Sequence, residues 1–437
     1  MRTDIETQSV VSNTDQFASV THQDGATRDF KLFIEKIGAD KERDRYLFIL
    51  GGALFPNGAD VRAVLTIDQK KLFGLVQQCR TAWMKTVIDL SEVVDANPGK
   101  RNQTPFQVAW DHSDQSDEWL KALGENLAEA GQSLWYHVFR SEGADEGIRQ
   151  IGTLLAKAAS TKALTCSITS DDFFLPWNLL YTPQSPDHFS WSGFWGYQHV
   201  IEHRTQNGHL DWLIDGTGEL IASFNFDPRI DQPGKTPCIE PQKSFFAKTK
   251  KLVLRERTQK AELKRDLKTA PFTDRITYFC CHGRTSGTAG ALNLEFAQLA
   301  LSDDEGITPT EIEEWLDGRH LESNPFVFFN ACEAGQMTTV FYESLAAVML
   351  KKKARALLGS QIDIPVVFAP EYMRRFFETF LGEGDESARR LGPLVRQLAR
   401  DFLDHHKNPL AITYSLYRGI DCVVRRGSHD SDAPPSA

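Results

Sequence analysis

The chain has 437 residues, 41% of them hydrophobic and 25% charged, with a formal net charge of −10. That length admits two or three domains of ordinary globular composition. The acidic balance argues against general electrostatic binding of nucleic acid, and no stretch approaches the roughly 20 consecutive apolar residues of a membrane-spanning helix.

In chain order, residues 1–28 are rich in Ser, Thr, Gln and Asp, lack an apolar signal core, and predict a disordered tail. From 29 to 112, Phe30, Leu32 and Ile34 alternate, Tyr46–Leu50 is apolar throughout, and Val61–Ile67 partly alternates. These runs predict short strands in a small N-terminal β-containing domain, a candidate sensing or docking module. Residues 113–426 read as a larger α/β unit, and 427–437 as a second disordered tail.

Helical spacing marks 118–138 (Leu120, Leu123, Leu127) and 145–159 (Ile148, Ile151, Leu154, Leu155). A strand is predicted near 163–168, followed by the apolar cluster Phe173–Tyr181. Further strands are predicted at Leu220–Phe226, Arg275–Cys281, Phe326–Phe329 and Ala354–Gly359. Between them lie a helix from about Thr258 to Lys268, a capping box at Thr308–Glu311 opening another, and a helix marked by Met337, Val340, Phe341, Leu345 and Val348. Alternating strands and helices imply a mostly parallel sheet, buried on both faces. Ser387–His405 predicts an amphipathic surface helix ending in a solvated His405-His406 turn.

Two strand ends carry chemistry. One strand runs from Ile276 into His282-Gly283, the other from Phe326 into Asn330-Ala331-Cys332-Glu333-Ala334-Gly335. If the two are neighbours, an imidazole and a thiol meet where parallel sheets place their active sites. Such a pair supports acyl transfer, with His282 as base, Cys332 as nucleophile, and the backbone amides of Gly283 and Cys332 as oxyanion donors. Cys166, Cys280, Cys281 and Cys422 read as small buried hydrophobes. Zinc is disfavoured, because adjacent Cys280-Cys281-His282 point to alternate faces and no fourth ligand is at useful spacing. Neither a metal nor any other cofactor is called for. Seven cysteines without paired spacing indicate a reduced, cytoplasmic setting.

These elements together resemble the CHAT peptidases of the caspase and separase clan. Leu175-Pro176-Trp177-Asn178-Leu179-Leu180-Tyr181 resembles the family's Pro-Trp-Glu-Leu-Leu element, with Asn178 in place of the acid, and Asn408-Pro409-Leu410-Ala411 through Gly419 resembles its terminal segment. The resemblance spans roughly residues 115–425. It implies a caspase-like fold and a cysteine endopeptidase acting through a His282–Cys332 dyad. It also implies a protein substrate and activation by a partner or bound signal within a prokaryotic regulatory or antiviral defence system. In several relatives an acidic residue near the nucleophile reads a basic substrate side chain. Asn330 stands in that place here, which leaves Asn330 and Asp363 as the candidate substrate-binding residues. A second reading, a catalytically silent caspase-like scaffold that binds partner proteins, is disfavoured by the presence of both dyad residues.

Overall fold

The computed structural model describes residues 27–40, 43–55, 60–90, 104–141, 144–184, 188–205, 212–231, 236–285, 297–303, 305–330 and 338–426. The strands of its first half are β1 (Phe30–Asp40), β2 (Arg43–Gly51), β3 (Val61–Ile67), β4 (Thr165–Thr169), β5 (Val200–Arg204), β6 (Leu213–Asp215) and β7 (Leu220–Phe226). The second half adds β8 (Leu252–Arg257), β9 (Ile276–Cys280), β10 (His282–Thr285), β11 (Ala297–Ala300), β12 (Gly306–Ile307), β13 (Phe326–Phe329), β14 (Ala356–Ser360), β15 (Tyr414–Tyr417) and β16 (Val423–Arg425).

Eleven strands form one sheet in the order β3-β2-β1-β4-β5-β15-β14-β13-β9-β7-β8. Within it β1–β2, β2–β3 and β14–β15 pair antiparallel, and every other neighbouring pair is parallel. The fold is thus α/β, a mostly parallel sheet flanked by helices. The parallel centre explains the continuous apolar runs: all four residues of β13 and all five of β9 are buried.

Side-chain alternation divides the interior at this centre. Ile276, Tyr278, Phe326, Phe328, Ala356 and Leu358 point into one core, shared with the helices Ile239–Lys248, Ala369–Phe380 and Leu391–His406. Phe279, Val327, Phe329 and Leu357 point into a second, shared with Lys260–Lys268, Pro309–Trp315 and Thr338–Lys351. The predicted capping box is present, with the Thr308 hydroxyl accepting from the Glu311 amide and the Glu311 carboxylate accepting from the Thr308 amide.

The N-terminal strands are present, but they extend the large sheet. β1 lies parallel to β4 in the register Phe30↔Cys166 to Phe33↔Thr169. Phe30, Leu32 and Ile34 join the same core as Cys166 and Ile168. A 15-residue helix, Gln69–Trp83, also stands where only strands and turns were expected. The end of this region is tied down too: the His112 amide donates to the His406 carbonyl at 2.9 Å, and the Asn408 side-chain amide donates to the Trp110 carbonyl at 2.8 Å. Of the expected tails, 1–26 and 427–437 lie outside the described residues. Arg28 is held, with its guanidinium 2.7 Å from Asp421 and 3.3 Å from Glu202.

The expected surface helix is instead two helices, Glu386–Arg389 and Leu391–His406. The second buries Leu391, Leu394, Val395, Leu398, Ala399, Phe402 and Leu403. His405 is exposed as expected, but His406 packs against Trp110 with ring centroids 4.8 Å apart and pairs with Asp111 at 3.0 Å.

Candidate active site at the ends of β9 and β13

The two strands singled out by sequence are hydrogen-bonded neighbours, parallel, in the register Phe326↔Ile276 to Phe329↔Phe279. The Asn330 amide adds one more rung, donating to the Phe279 carbonyl at 2.9 Å. On the other side of β9, the Asp227 amide donates to the Cys280 carbonyl at 3.2 Å. Past Cys280 the chain leaves the large sheet. His282 and Gly283 open β10, pairing antiparallel with Ala300 and Leu299 in a three-stranded sheet of β10, β11 and β12.

Cys332 lies outside the described residues, with Ala331 and residues 333–337. In sequence it is three positions beyond Phe329, as His282 is three beyond Phe279, and these two phenylalanines are partners in register. Asp363, on the loop after β14, is only 6% exposed, so it does not stand out into solvent as a substrate contact.

Asn330 also departs from expectation. It is fully buried, and its amide is turned inward: Nδ2 donates to the Tyr278 hydroxyl at 2.9 Å and the Ala369 carbonyl at 3.0 Å, and Oδ1 accepts from the Tyr414 hydroxyl at 2.6 Å. An amide placed in the core must be satisfied there. These bonds direct Asn330 into the protein instead of toward a substrate. Tyr278 and Tyr414 escaped the sequence reading. The one available signal was Tyr278 midway along a buried strand, since a buried hydroxyl needs a partner.

The Tyr278 hydroxyl in turn donates to Gln242 Oε1 at 2.5 Å. Gln242 Nε2 donates to the Cys238 carbonyl at 2.7 Å and reaches the sulfurs of Cys238 and Cys280 at 3.3 and 3.4 Å. Asn178, which replaces the acid of the resemblance, donates to the Tyr414 carbonyl at 2.6 Å. It therefore fastens the Trp177–Leu179 turn to β15.

The other six cysteines, Cys79, Cys166, Cys238, Cys280, Cys281 and Cys422, are buried and free of disulfides. Burial pushes the Cys79 thiol up to about 12 and raises Cys166 and Cys281 well above the ordinary thiol value. A thiol held protonated inside a core is a poor nucleophile.

Among the described residues no group of three or more His, Cys, Asp and Glu side chains converges as a metal site, and no helix is long and apolar enough to cross a membrane. A groove of about 440 Å³ is lined by residues including Trp110, Asp111, Pro237, Pro370, Glu371 and Arg374. Its charged side chains are engaged with one another or with the helix beside it: Glu371 pairs with Arg374 and Arg375 at 2.6 Å.

No family model matches the chain, and no curated protein matches it. Among solved structures it is similar to the separase–securin complex of Saccharomyces cerevisiae, with 11% identity in two structures. The first gives a TM-score of 0.36 over 81% of this chain and 23% of the other; the second gives 0.39 over 89% and 30%. It is also similar to the complex of the pro- and mature domains of Porphyromonas gingivalis RgpB, with 11% identity and a TM-score of 0.40 over 82% of this chain and 78% of the other. The chain spans less than a third of the length of the separase chains it matches.

Proposed function

We propose that the chain is a cysteine endopeptidase of the CHAT, caspase-like kind, with Cys332 as nucleophile and His282 as general base. The observation that carries this reading is the parallel pairing of β9 with β13, the two strands whose sequences run on to His282 and Cys332, each three residues past the Phe279–Phe329 rung. Burial of the other six cysteines supports it, because it leaves Cys332 as the remaining candidate thiol of the seven.

In the reaction, the imidazole takes the thiol proton and the sulfur attacks the scissile carbonyl carbon. The amides of Gly283 and Cys332 donate to the resulting oxyanion. Collapse expels the amine, which receives the proton from the imidazolium. Water then hydrolyses the thioester, with the imidazole again acting as base. Each oxyanion donor contributes on the order of 3 kcal/mol to transition-state stabilisation. The substrate would be a protein partner, cleaved in the cytoplasm under the control of an activator, in a prokaryotic regulatory or antiviral defence setting. This part of the reading rests on the sequence resemblance.

The test is alkylation of the native protein with iodoacetamide, followed by peptide mapping. Labelling confined to Cys332 and slowed by His282→Ala is expected. Labelling chiefly at Cys281, or labelling of Cys332 that ignores His282→Ala, overturns the assignment.

A further inference from the structure

We propose that Asn330 is a positioning residue that ties the end of β13, the strand leading to Cys332, to β9, the strand leading to His282. The proposal rests on the peptidase reading above. β13 is four apolar residues, and the next position would suit a fifth: it is fully buried, at the end of a strand with both faces covered. A valine or leucine there would fill the core without demanding partners. An amide demands them, because burying one unsatisfied costs about 1–3 kcal/mol.

The partners are drawn from separate elements. The Asn330 backbone amide holds β9 through Phe279, and its side chain holds β9 through Tyr278, β15 through Tyr414, and the start of the helix Ala369–Phe380 through the Ala369 carbonyl. The donors run in one direction, from the Tyr414 hydroxyl to Asn330, from Asn330 to the Tyr278 oxygen, and from the Tyr278 hydroxyl to Gln242. A chain of this kind fixes which way the amide faces, which apolar packing alone would not do.

The two ends of this arrangement are chemically placed. Asn330 is two residues before Cys332, and Tyr278 is four before His282. One side chain therefore ties the end of the strand that leads to the thiol to the strand that leads to the imidazole. Thiolate formation depends on the approach of those two groups, so loss of this tie should be felt as a change in thiol acidity.

The experiment follows the rate of Cys332 alkylation by iodoacetamide against pH in the full chain, for wild type, Asn330→Ala, Tyr278→Phe, Tyr414→Phe and His282→Ala. Leu155→Ala, in the remote helix Glu146–Thr161, is the control for lost stability alone. Asn330→Ala is expected to move the midpoint up by about one pH unit, toward that of His282→Ala, and to slow the reaction about tenfold at pH 7. Each Tyr→Phe variant is expected to give a smaller shift in the same direction, and Leu155→Ala none. Should Asn330→Ala fail to fold, the two Tyr→Phe variants decide. A midpoint unmoved by the substitutions at 330, 278 and 414, in a protein whose wild type responds to His282→Ala, overturns the positioning role alone. A wild-type midpoint at the ordinary thiol value and indifferent to His282→Ala sinks the peptidase reading, and this proposal with it.

Discussion

The rings of Tyr372 and Tyr414 lie face to face, their centroids 3.8 Å apart and their planes within 5°. Their hydroxyls differ in kind. That of Tyr414 donates to Asn330, while that of Tyr372 is buried without a hydrogen-bond partner among the described residues, and burial raises it well above the ordinary phenol value. Removing an unsatisfied buried hydroxyl relieves a desolvation penalty; removing a satisfied one orphans its partner. Tyr372→Phe should therefore be neutral or stabilising by up to about 1 kcal/mol, and Tyr414→Phe destabilising by about 1–2 kcal/mol. Urea denaturation of the pair checks this, and equal losses for the two would refute it.

Two buried histidines make the fold sensitive to mild acid. His199 is lowered to about 3 by burial and by the nearby Arg396, and His203 to about 4 by burial. His199 Nδ1 accepts from the Leu164 amide at 3.1 Å, a bond only the unprotonated nitrogen can take. In the unfolded chain both titrate near 6.5. Above that value neither state is protonated and the stability is fully present; as pH falls below it, the unfolded chain binds protons that the folded one refuses. The pair should lose about 4 kcal/mol between pH 7.5 and pH 5. Denaturant midpoints across that range measure the slope, which His203→Gln should roughly halve. A flat profile in the wild type would show that the histidines are not held neutral.

The strands that surround the candidate site were legible because their signals are local. Phe326–Phe329 is an unbroken apolar run, Leu220–Phe226 is one interrupted only by Ser223 and Asn225, and Thr308 announces its helix through a cap spanning Thr308–Glu311. The edge strand β8 was not legible. Its Leu252, Val253 and Leu254 give way to Arg255 and Glu256, because one side of an edge faces water. The helix Gln69–Trp83 was hidden by Gly74 and by strands on its N-terminal side, although Leu72, Leu75, Val76, Cys79 and Trp83 do carry its spacing. Nor could a pattern of alternation say which sheet β1 would join, since that depends on pairing with β4, more than a hundred residues away. At the site, the sequence named the strand ends, but the burial of Asn330 was out of reach. An asparagine after a strand ordinarily marks a turn, and its partners here come from residues 278, 369 and 414.

The helix Asp117–Phe139 meets the Trp177–Tyr181 segment without room for a side chain at Gly131. A Cβ there would stand 2.4 Å from the Leu179 carbonyl oxygen and 2.9 Å from the Tyr181 amide nitrogen. Both are backbone atoms and cannot rotate away. On an exposed helix face, Gly→Ala would be worth up to about 1 kcal/mol in stability. Here the clash should reverse the sign and give a loss of about 1–3 kcal/mol. A thermal melt showing Gly131→Ala as stable as wild type would mean that the helix docks less closely than this.

Arg257 and Asp274 form a deeply buried ion pair in this half of the sheet, 2.7 Å apart with side chains 2% and 0% exposed. Arg257 also donates to Asp266 at 2.7 Å and to Asn225 at 3.3 Å, joining β8, the helix Lys260–Lys268 and β7 beside the strand that leads to His282. Burial opposes the charges, and their mutual bonds offset it; for Asp266 the hydrogen bonds from Arg257 and Arg265 outweigh burial and hold the carboxyl below its usual range. Breaking such a pair from one side leaves a guanidinium in the core, whereas replacing both partners with apolar residues removes charge and debt together. Of the single variants Arg257→Met and Asp274→Leu, the second should destabilise by about 3 kcal/mol, and the double variant Arg257→Met/Asp274→Leu should lose distinctly less than the two singles together. Urea midpoints of the single and double variants give the coupling directly. A double variant as unstable as the sum of its singles would show that the two charges stabilise the fold independently.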